Sequence, residues 1–301
     1  MTALDQAPAT TQERTPDRRS ARRLPAPATI ITVAALIVTA VYFLVPVYWL
    51  IVASTKTSAD LFGSFGLWFS HPQFLTNMRE LFNYQDGIYV RWLVNTLIYA
   101  GVSAIVAMFI CASAGYCLAK FAFRGREVIF NIILGGVLVP GTALALPLYL
   151  LINKIGIGNT YWSVLLPSVV SPFGVYLCRI YAESGVPDDI IEAARIDGAG
   201  EFFIFRSLVL RIMSPALVTV FLFHFVGTWN NYFLPLVMLS NEKLFPVTLG
   251  LTTWQGYAQR QPILYQLTVG GAFISVIPLM IIIVWLQRYW RGGLTQGSVK
   301  G

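Results

Sequence analysis

Six long stretches of the sequence contain no Asp, Glu, Lys or Arg, and this feature limits the fold more than any other. They cover residues 24–55, 92–119, 128–153, 155–178, 212–241 and 261–287. Each has at least 24 residues, and a helix needs roughly 20 apolar residues to cross a bilayer. Only 12% of all residues are charged, about half the share of a soluble domain. The sequence therefore predicts an all-α membrane protein with six transmembrane helices.

The predicted transmembrane helices are somewhat shorter than the charge-free stretches. They cover about residues 30–54, 92–119, 129–153, 159–178, 212–239 and 265–287. Two further charge-free runs, 61–78 and 244–259, are shorter and contain several glycines and prolines. We interpret these two runs as interfacial or re-entrant segments, because they are too short or too interrupted to cross the membrane.

The distribution of Lys and Arg predicts the orientation of the chain. With both termini in the cytoplasm, the inner segments hold 15 of these 21 residues and the outer segments hold 6, as the positive-inside rule requires. Residues 1–28 carry five arginines and four prolines without an apolar run, which predicts a disordered basic cytoplasmic tail. Anionic membrane lipid accounts for the net charge of +7, so no nucleic-acid partner is expected.

Signatures of catalysis and of metal binding are missing from the sequence. It has only two histidines, no H-E-x-x-H and no paired C-x-x-C, and none of its five lysines follows a glycine as in a P-loop. We therefore predict no catalytic site, no metal site and no cofactor on this chain. His224 is the only ionisable side chain within the predicted helices, and we interpret it as a hydrogen-bonded residue of the bundle rather than a proton relay.

The longest cytoplasmic connection, residues 179–211, is predicted to contain two short helices. Pro187 suits the first turn of a helix, and the two aspartates after it place negative charge at the positive end of the helix dipole. Asp197-Gly198 is predicted to end this helix, since glycine readily adopts the left-handed conformation. A second segment begins at Glu201. An acidic helix is repelled by an anionic membrane surface, so docking into a protein groove is the favoured interpretation.

Residues Glu192–Ala199, EAARIDGA, resemble the EAA motif of ABC importer permeases. More narrowly, residues 29–301 resemble carbohydrate permeases of the maltose-transport type, in particular the second of their two permease subunits. The other matching segments are Asn95–Leu97, Ala114–Tyr116, Phe123–Arg126, Pro147–Leu150, Asn159–Trp162, Trp229–Leu236 and the C-terminal stretch from Gln287. One departure is Arg211, which follows Leu210 where the family usually has proline, and a straighter connection into the fifth helix is expected there.

The resemblance implies the type I ABC importer fold and a multi-pass protein of a bacterial or archaeal cytoplasmic membrane. It implies a sister permease, two ABC ATPase subunits that bind ATP and Mg, and an extracytoplasmic sugar-binding protein that delivers a sugar or oligosaccharide. Residues 181–207 would form the EAA coupling loop. The residues assigned to ATPase coupling are Glu192, Ala193, Ala194, Asp197 and Gly198.

A substrate path is predicted in the fifth helix at Trp229, Asn230, Asn231 and Tyr232. Aromatic faces suit the C–H side of a sugar ring, and amides suit its hydroxyl groups. An equally weighted alternative is that these side chains join helices through hydrogen bonds. Trp92, Trp285 and Tyr289 are assigned to interfacial belts. Contacts with the binding protein are assigned to the outer-loop aromatics Trp68, Phe69, Trp254 and Tyr257.

Two other functions stay open at this point. The chain could be a permease of the same fold for a glycerol-phosphate diester or a polyol. It could also be an integral membrane enzyme acting on lipid-linked sugars, which would need acidic or histidine clusters at a membrane boundary. The only acidic cluster belongs to the EAA loop, which favours the carbohydrate importer.

Overall fold

The chain is helical over the residues that the structure describes, 27–296, and no β-strand occurs among them. The structure is a computed structural model. Residues 1–26, which make up nearly all of the predicted tail, lie outside the described residues, as do residues 297–301. The predicted position of the two termini relative to the membrane therefore stays a prediction.

Fifteen α-helices occur in the described part of the chain. They are α1 Pro27–Ser54, α2 Ser58–Gly63, α3 Phe74–Asn83, α4 Ile88–Lys120, α5 Arg126–Gly135, α6 Ala145–Lys154, α7 Tyr161–Ser168, α8 Pro172–Gly185, α9 Asp188–Ile196, α10 Glu201–Ile204, α11 Leu210–Ile212, α12 Ser214–Trp229, α13 Phe233–Met238, α14 Val247–Tyr257 and α15 Ile263–Gln296. Short 3₁₀ turns cover Tyr84–Gly87, Gly136–Leu138 and Glu242–Leu244, and a π-helical turn covers Phe205–Val209.

Four helical segments of the described chain are long and apolar enough to cross a membrane. They are Ile31–Ser54, Phe74–Lys120, Tyr161–Gly185 and Ile263–Gln287. A fifth candidate arises if Glu201–Ile212 and Ser214–Trp229, which meet at an angle of 78°, are counted together. The all-α, multi-pass prediction is confirmed; four or five segments qualify as candidate spans in the described chain, and the count of six stays a prediction.

The missing candidate is the predicted third helix, residues 129–153, which is broken in two. Helices α5 and α6 have ten residues each, so each is about 15 Å long, half the thickness of the hydrocarbon core. The non-helical link between them contains Pro140 and Gly141, two residues that disfavour a continuous helix. The absence of charged residues indicates that this stretch lies in an apolar environment. It does not determine whether the stretch forms one continuous helix.

A break between α7 and α8 explains the position of His224. Pro172 at the start of α8 has no N–H, so the carbonyl of Ser168, four residues earlier, lacks the usual helical donor. The imidazole Nε2 of His224 hydrogen-bonds to this carbonyl oxygen. Freed carbonyls inside a membrane must find such a donor, and the interpretation of His224 as a hydrogen-bonded bundle residue is confirmed.

The chain divides into two compact units between Val47 and Tyr48, within α1. The described part of the first unit is the N-terminal portion of α1, an apolar helix with exposed side chains such as Ile31 and Tyr42. Such an apolar surface needs lipid or protein around it. The second unit contains every helix from α2 to α15.

Helix α4 is the centre of the second unit and packs against α8 and α12. The middle of its buried face is a row of small residues that let helices approach closely. This row consists of Ala100, Ser103, Ala104, Ala107, Cys111, Ala112 and Gly115. One large apolar cluster surrounds the N-terminal third of α4 near Trp92, and another surrounds its C-terminal end near Tyr116. Both ends of α4 are thus fixed in well-packed surroundings.

Candidate functional site

Residues 179–211 form the predicted pair of helices, α9 and α10. Helix α9 begins at Asp188, directly after Pro187, which caps it with extended backbone angles instead of occupying its first turn. Gly198 has a φ of +81°, and the amide of Ala199 donates to the carbonyl of Ala194 at 2.9 Å. This is the closure that a left-handed glycine gives a helix, so the predicted role of Gly198 in ending the helix is confirmed.

The two alanines of the EAA motif lie on different faces of α9. Ile191 is 3% exposed. Ala194 packs beside it against the apolar cluster at the C-terminal end of α4. Ile190, Ala193 and Ile196, spaced by three residues, are exposed, Ile196 to 86%. Successive residues of an α-helix are about 100° apart, which is why neighbouring alanines diverge. Of the two alanines assigned to ATPase coupling, Ala193 is exposed and Ala194 is half-buried, and we name Ile190, Ala193 and Ile196 the outer face of α9.

One ion pair joins the loop to the bundle, and another joins α9 to α10 within the loop. Lys120, at the end of α4, donates to Asp188 at 2.7 Å, and Arg195 donates to Glu201 at 2.6 Å. The hydrogen bond with Glu201 also raises the pKa of Arg195. A groove of about 360 Å³ between Lys120 and α9 is lined by Glu192 among others. Glu192 is exposed, so its carboxylate is accessible to a partner, as are Asp197 and Gly198.

The connection into the fifth helix is sharply bent. The bend of 78° lies at Met213, which has φ −76° and ψ 0°, and Pro215 follows in the first turn of α12. Pro215 cannot donate to the carbonyl of Arg211, so the helix stops there even though residue 211 is not proline. The expected straighter connection is wrong, because Pro215 supplies the break.

The predicted substrate path coincides with a break in the predicted fifth transmembrane helix, residues 212–239. Helix α12 ends at Trp229 and α13 begins at Phe233. Trp229 is buried and stacks on Phe225 at 5.5 Å between ring centroids. Asn231 is half-buried; its Oδ1 accepts the amide of Leu234, and its backbone carbonyl accepts the hydroxyl of Thr248.

The other two residues of that group remain accessible. Asn230 is exposed, and its amide nitrogen donates only to the carbonyl of Val226 in its own helix. The side chain of Tyr232 is 36% exposed. The structure thus separates the four residues into an accessible pair and a pair held by packing or by backbone contacts.

The segment Glu242–Val247, which we call the strap, is held by side chains of α4. Trp92 Nε1 donates to the carbonyl of Glu242 at 2.8 Å, and Asn95 Nδ2 donates to the carbonyls of Lys243 and Phe245 at 2.9 and 3.0 Å. Thr96 Oγ1 accepts the amide of Val247, and Tyr99 donates to the carbonyl of Leu244. The Asn-Thr pair singled out in the sequence therefore fixes non-helical backbone, a role that polar residues in an apolar helix hint at but do not reveal.

Two tryptophans assigned to exposed positions are buried instead. Trp92 is 1% exposed and Trp254 is 4% exposed, and their ring centroids are 4.6 Å apart. The assignments of Trp92 to an interfacial belt and of Trp254 to a protein contact are therefore wrong. Trp92 lies near the end of an apolar stretch, as belt residues do, but the strap and Trp254 of α14 pack against it. Trp68, Phe69 and Tyr257 are exposed, as are Trp285 and Tyr289.

No group of three or more His, Cys, Asp or Glu side chains within metal-binding reach occurs among residues 27–296. Hydrogen bonds from buried side chains to backbone carbonyls hold the strap, and an ion pair joins α9 to α4. Such an arrangement is suited to holding and moving segments of backbone.

Residues 108–294 match the family described as the inner membrane component of binding-protein-dependent transport systems. The chain is 33% identical to the arabinooligosaccharides transport system permease protein AraQ of Halalkalibacterium halodurans, over 85% of this chain and 91% of that protein. It is 31% identical to the maltodextrin transport system permease protein MdxG of Bacillus subtilis, over 84% of this chain and 90% of that protein.

The fold is that of a solved ABC transporter. A chain of a bacterial ABC transporter involved in import of the acidic polysaccharide alginate superposes with a TM-score of 0.76 at 23% identity. The match covers 87% of this chain and 96% of that chain. At this identity the likeness concerns the fold alone, and it agrees with the expected type I importer architecture.

Proposed function

The chain belongs to the family of inner membrane components of binding-protein-dependent transport systems, and we propose that it is one of two permease subunits of an ATP-driven oligosaccharide importer. The chain forms the translocation path together with a sister permease. Two ABC ATPase subunits hydrolyse ATP with Mg on the cytoplasmic side, and an extracytoplasmic binding protein delivers the sugar. The protein is a multi-pass component of a bacterial or archaeal cytoplasmic membrane, with six membrane crossings and both termini inside.

The outer face of α9 is the observation that supports coupling to an ATPase. Three apolar side chains are exposed there beside the acidic Glu192 and Asp197, a composition that suits a protein groove with basic edges better than lipid or water. Ile191, Ala194 and the ion pair between Lys120 and Asp188 join the inner side of α9 to the bundle. Because α9 is joined to α4 in this way, a displacement of α9 by the ATPase would also move α4.

The sugar class is supported by the relatives. Those that transport arabino-oligosaccharides and maltodextrin align over most of their own lengths. The link between α12 and α13 adds exposed amide and phenol groups, on Asn230 and Tyr232. These groups suit neutral hydroxylated ligands.

Reconstitution provides the test of this function. The complex is purified through a tag on this chain, its co-purifying subunits are identified, and it is placed in liposomes with its binding protein. We expect ATP-dependent uptake of labelled arabinotriose or maltotriose, and no uptake when the ATPase subunit is inactivated. Preferential uptake of a glycerol-phosphate diester or a polyol would move the assignment to the alternative permease, and modification of a lipid-linked sugar would overturn it.

The topology is tested by cysteine labelling. A side chain added at Gly63 or at Gly256 meets no other atom within 4 Å, so cysteine is tolerated at both positions. We expect a membrane-impermeant maleimide to label both in intact cells, and to label cysteine at Ser20 or Ser184 only after the membrane is opened. The parent chain, whose Cys117 is exposed, gives the background. Labelling at Ser20 in intact cells would contradict the assignment of the N terminus to the cytoplasm.

The neighbouring asparagines at the break in the fifth helix give a matched pair of variants. Asn230→Leu removes an accessible amide without breaking a contact to another helix, so we expect an altered KM for sugar uptake and a normal amount of complex. Asn231→Leu removes the acceptor for the Leu234 amide, which costs about 1 kcal/mol, so we expect less assembled complex with normal uptake per complex. Quantitative immunoblotting and uptake assays separate the two effects, and an unchanged KM in Asn230→Leu would exclude a substrate role for its side chain.

A further inference from the structure

A pocket of about 260 Å³ lies on the strap side of the molecule, between the turn before α4, the strap and α14. Its lining consists of Tyr84, Gln85, Trp92, Glu242, Thr253, Trp254, Tyr257, Gln261 and Leu264. In the proposed topology this side faces away from the cytoplasm. The volume is near the lower end of the range for small-molecule sites and suits one or two sugar rings rather than a long chain.

The floor of the pocket is rigid. Trp92 is held by its bond to the carbonyl of Glu242 and by stacking on Trp254. Gly250 makes this packing possible, because a Cβ at that position would lie 2.1 Å from the ring of Trp92. A site whose aromatic groups are fixed before binding loses less conformational entropy when a ligand arrives.

The rim of the pocket contains strained backbone. Gln85 and Asp86 have φ values of 49° and 57°, a left-handed conformation that is uncommon for residues other than glycine. This turn ends at Gly87. The hydroxyl of Tyr84 in the same turn donates to Gln261 Oε1 at 3.1 Å, which joins the turn to the segment after α14. Strained residues persist where the surroundings hold them, and they cluster at ligand sites.

The chemistry of the lining selects a neutral hydroxylated ligand. Lys and Arg are absent from the lining and Glu242 contributes a carboxylate, so an anion is disfavoured. The tryptophans are buried against each other, which leaves no open cage of ring faces for a quaternary ammonium ion. Tyr257 is 52% exposed and offers a ring face, and Gln85 and Gln261 offer amides. The Thr253 hydroxyl donates to the carbonyl of Leu249, so its oxygen offers an acceptor.

We propose that this pocket is a carbohydrate subsite at the extracytoplasmic mouth of the permease, where a sugar ring rests on Tyr257 and its hydroxyl groups bond to the rim. The proposal rests on the oligosaccharide importer function, and it adds a binding site on this chain separate from the break in the fifth helix. Sugar released by the binding protein would pause at this subsite before it enters the path.

The test measures sugar binding to the whole complex without binding protein. Complexes in nanodiscs are mixed with arabinotriose or maltotriose, and saturation-transfer NMR reports which ring protons contact protein. We expect transfer to C–H protons of one ring, and affinity about five- to tenfold weaker in Tyr257→Ala through loss of the ring face. Tyr257→Phe keeps the face and should bind nearly as the parent does. Trp68→Ala, which removes an exposed aromatic ring outside the pocket, should bind as the parent does.

Each other outcome has a distinct meaning. If the complex imports one of these sugars while Tyr257→Ala binds free sugar as the parent does, the subsite is overturned and the importer function stands. If Tyr257→Ala weakens only the affinity for the binding protein, the pocket receives a side chain of that protein and the subsite is likewise overturned. If the complex imports neither sugar nor any other oligosaccharide, the proposed function falls, and the carbohydrate assignment of the pocket falls with it.

Discussion

Uptake is expected to fall about tenfold or more when Gly198 is replaced by valine, with the transmembrane helices still inserted. Gly198 has a φ of +81°, and a β-branched residue in that conformation is strained by roughly 1–2 kcal/mol. Relief of the strain would reorient α9 and misplace its outer face, which weakens ATPase docking. The measurement is the amount of ATPase subunit that co-purifies with the tagged chain, together with hydrolysis stimulated by loaded binding protein.

Two control substitutions separate conformation from bulk. Gly198→Asn should retain most activity, since asparagine tolerates the left-handed region. Ala193→Trp places bulk on the outer face without strain and should also weaken docking, whereas Ala193→Ser should not. Full ATPase content and full stimulation in both Gly198→Val and Ala193→Trp would reduce the loop to a simple connector, and the coupling role would have to be abandoned.

The second large effect is expected for Asn95→Leu. Asn95 is 1% exposed; its Nδ2 donates to two carbonyls of the strap, and its Oδ1 accepts the hydroxyl of Tyr161 at 2.7 Å. The substitution leaves buried polar groups without partners, at about 1–3 kcal/mol each, so we expect a strong loss of assembled complex and a lower apparent Tm. Fluorescence-detected size exclusion and thermal unfolding of the purified complex measure both.

The matched control is Asn153→Leu, at an exposed asparagine that bonds only to its own helix through the carbonyl of Tyr149. Its apparent Tm should stay close to that of the parent protein. Equal behaviour of the two variants would mean that the conformation of the strap does not depend on Asn95.

The ends of helix α9 could be predicted from the conformational preferences of single residues. The start of α9 after Pro187 and its end at Gly198 follow from the properties of those residues, and both occur in the structure. The faces of α9 were not predictable, because Ala193 and Ala194 are chemically identical and differ only in the rotation of the helix against Ile191 and its neighbours.

Breaks within apolar stretches were also beyond the sequence pattern. Pro140-Gly141 interrupts the predicted third helix, but Pro46 and Pro278 lie inside helices that continue through them. Whether a proline ends a helix depends on which side chains can satisfy the freed carbonyl, as His224 does for Ser168. Burial of Trp92 and Trp254 likewise depends on the packing of the strap and α14 against α4. The periodicity of hydrophobic residues in the sequence does not predict this packing.

Helix α4 connects the strap with the coupling loop as one piece. It has 33 residues without an internal proline and is about 50 Å long; Asn95 near one end bonds the strap, and Lys120 at the other end bonds Asp188. One continuous helix would therefore join the extracytoplasmic mouth and the ATPase contact of the proposed importer. Slippage between the two, in which ATP is hydrolysed and no sugar crosses, would require α4 to bend or one of its end contacts to break. In the proposed importer, the stiffness of this helix would limit futile hydrolysis.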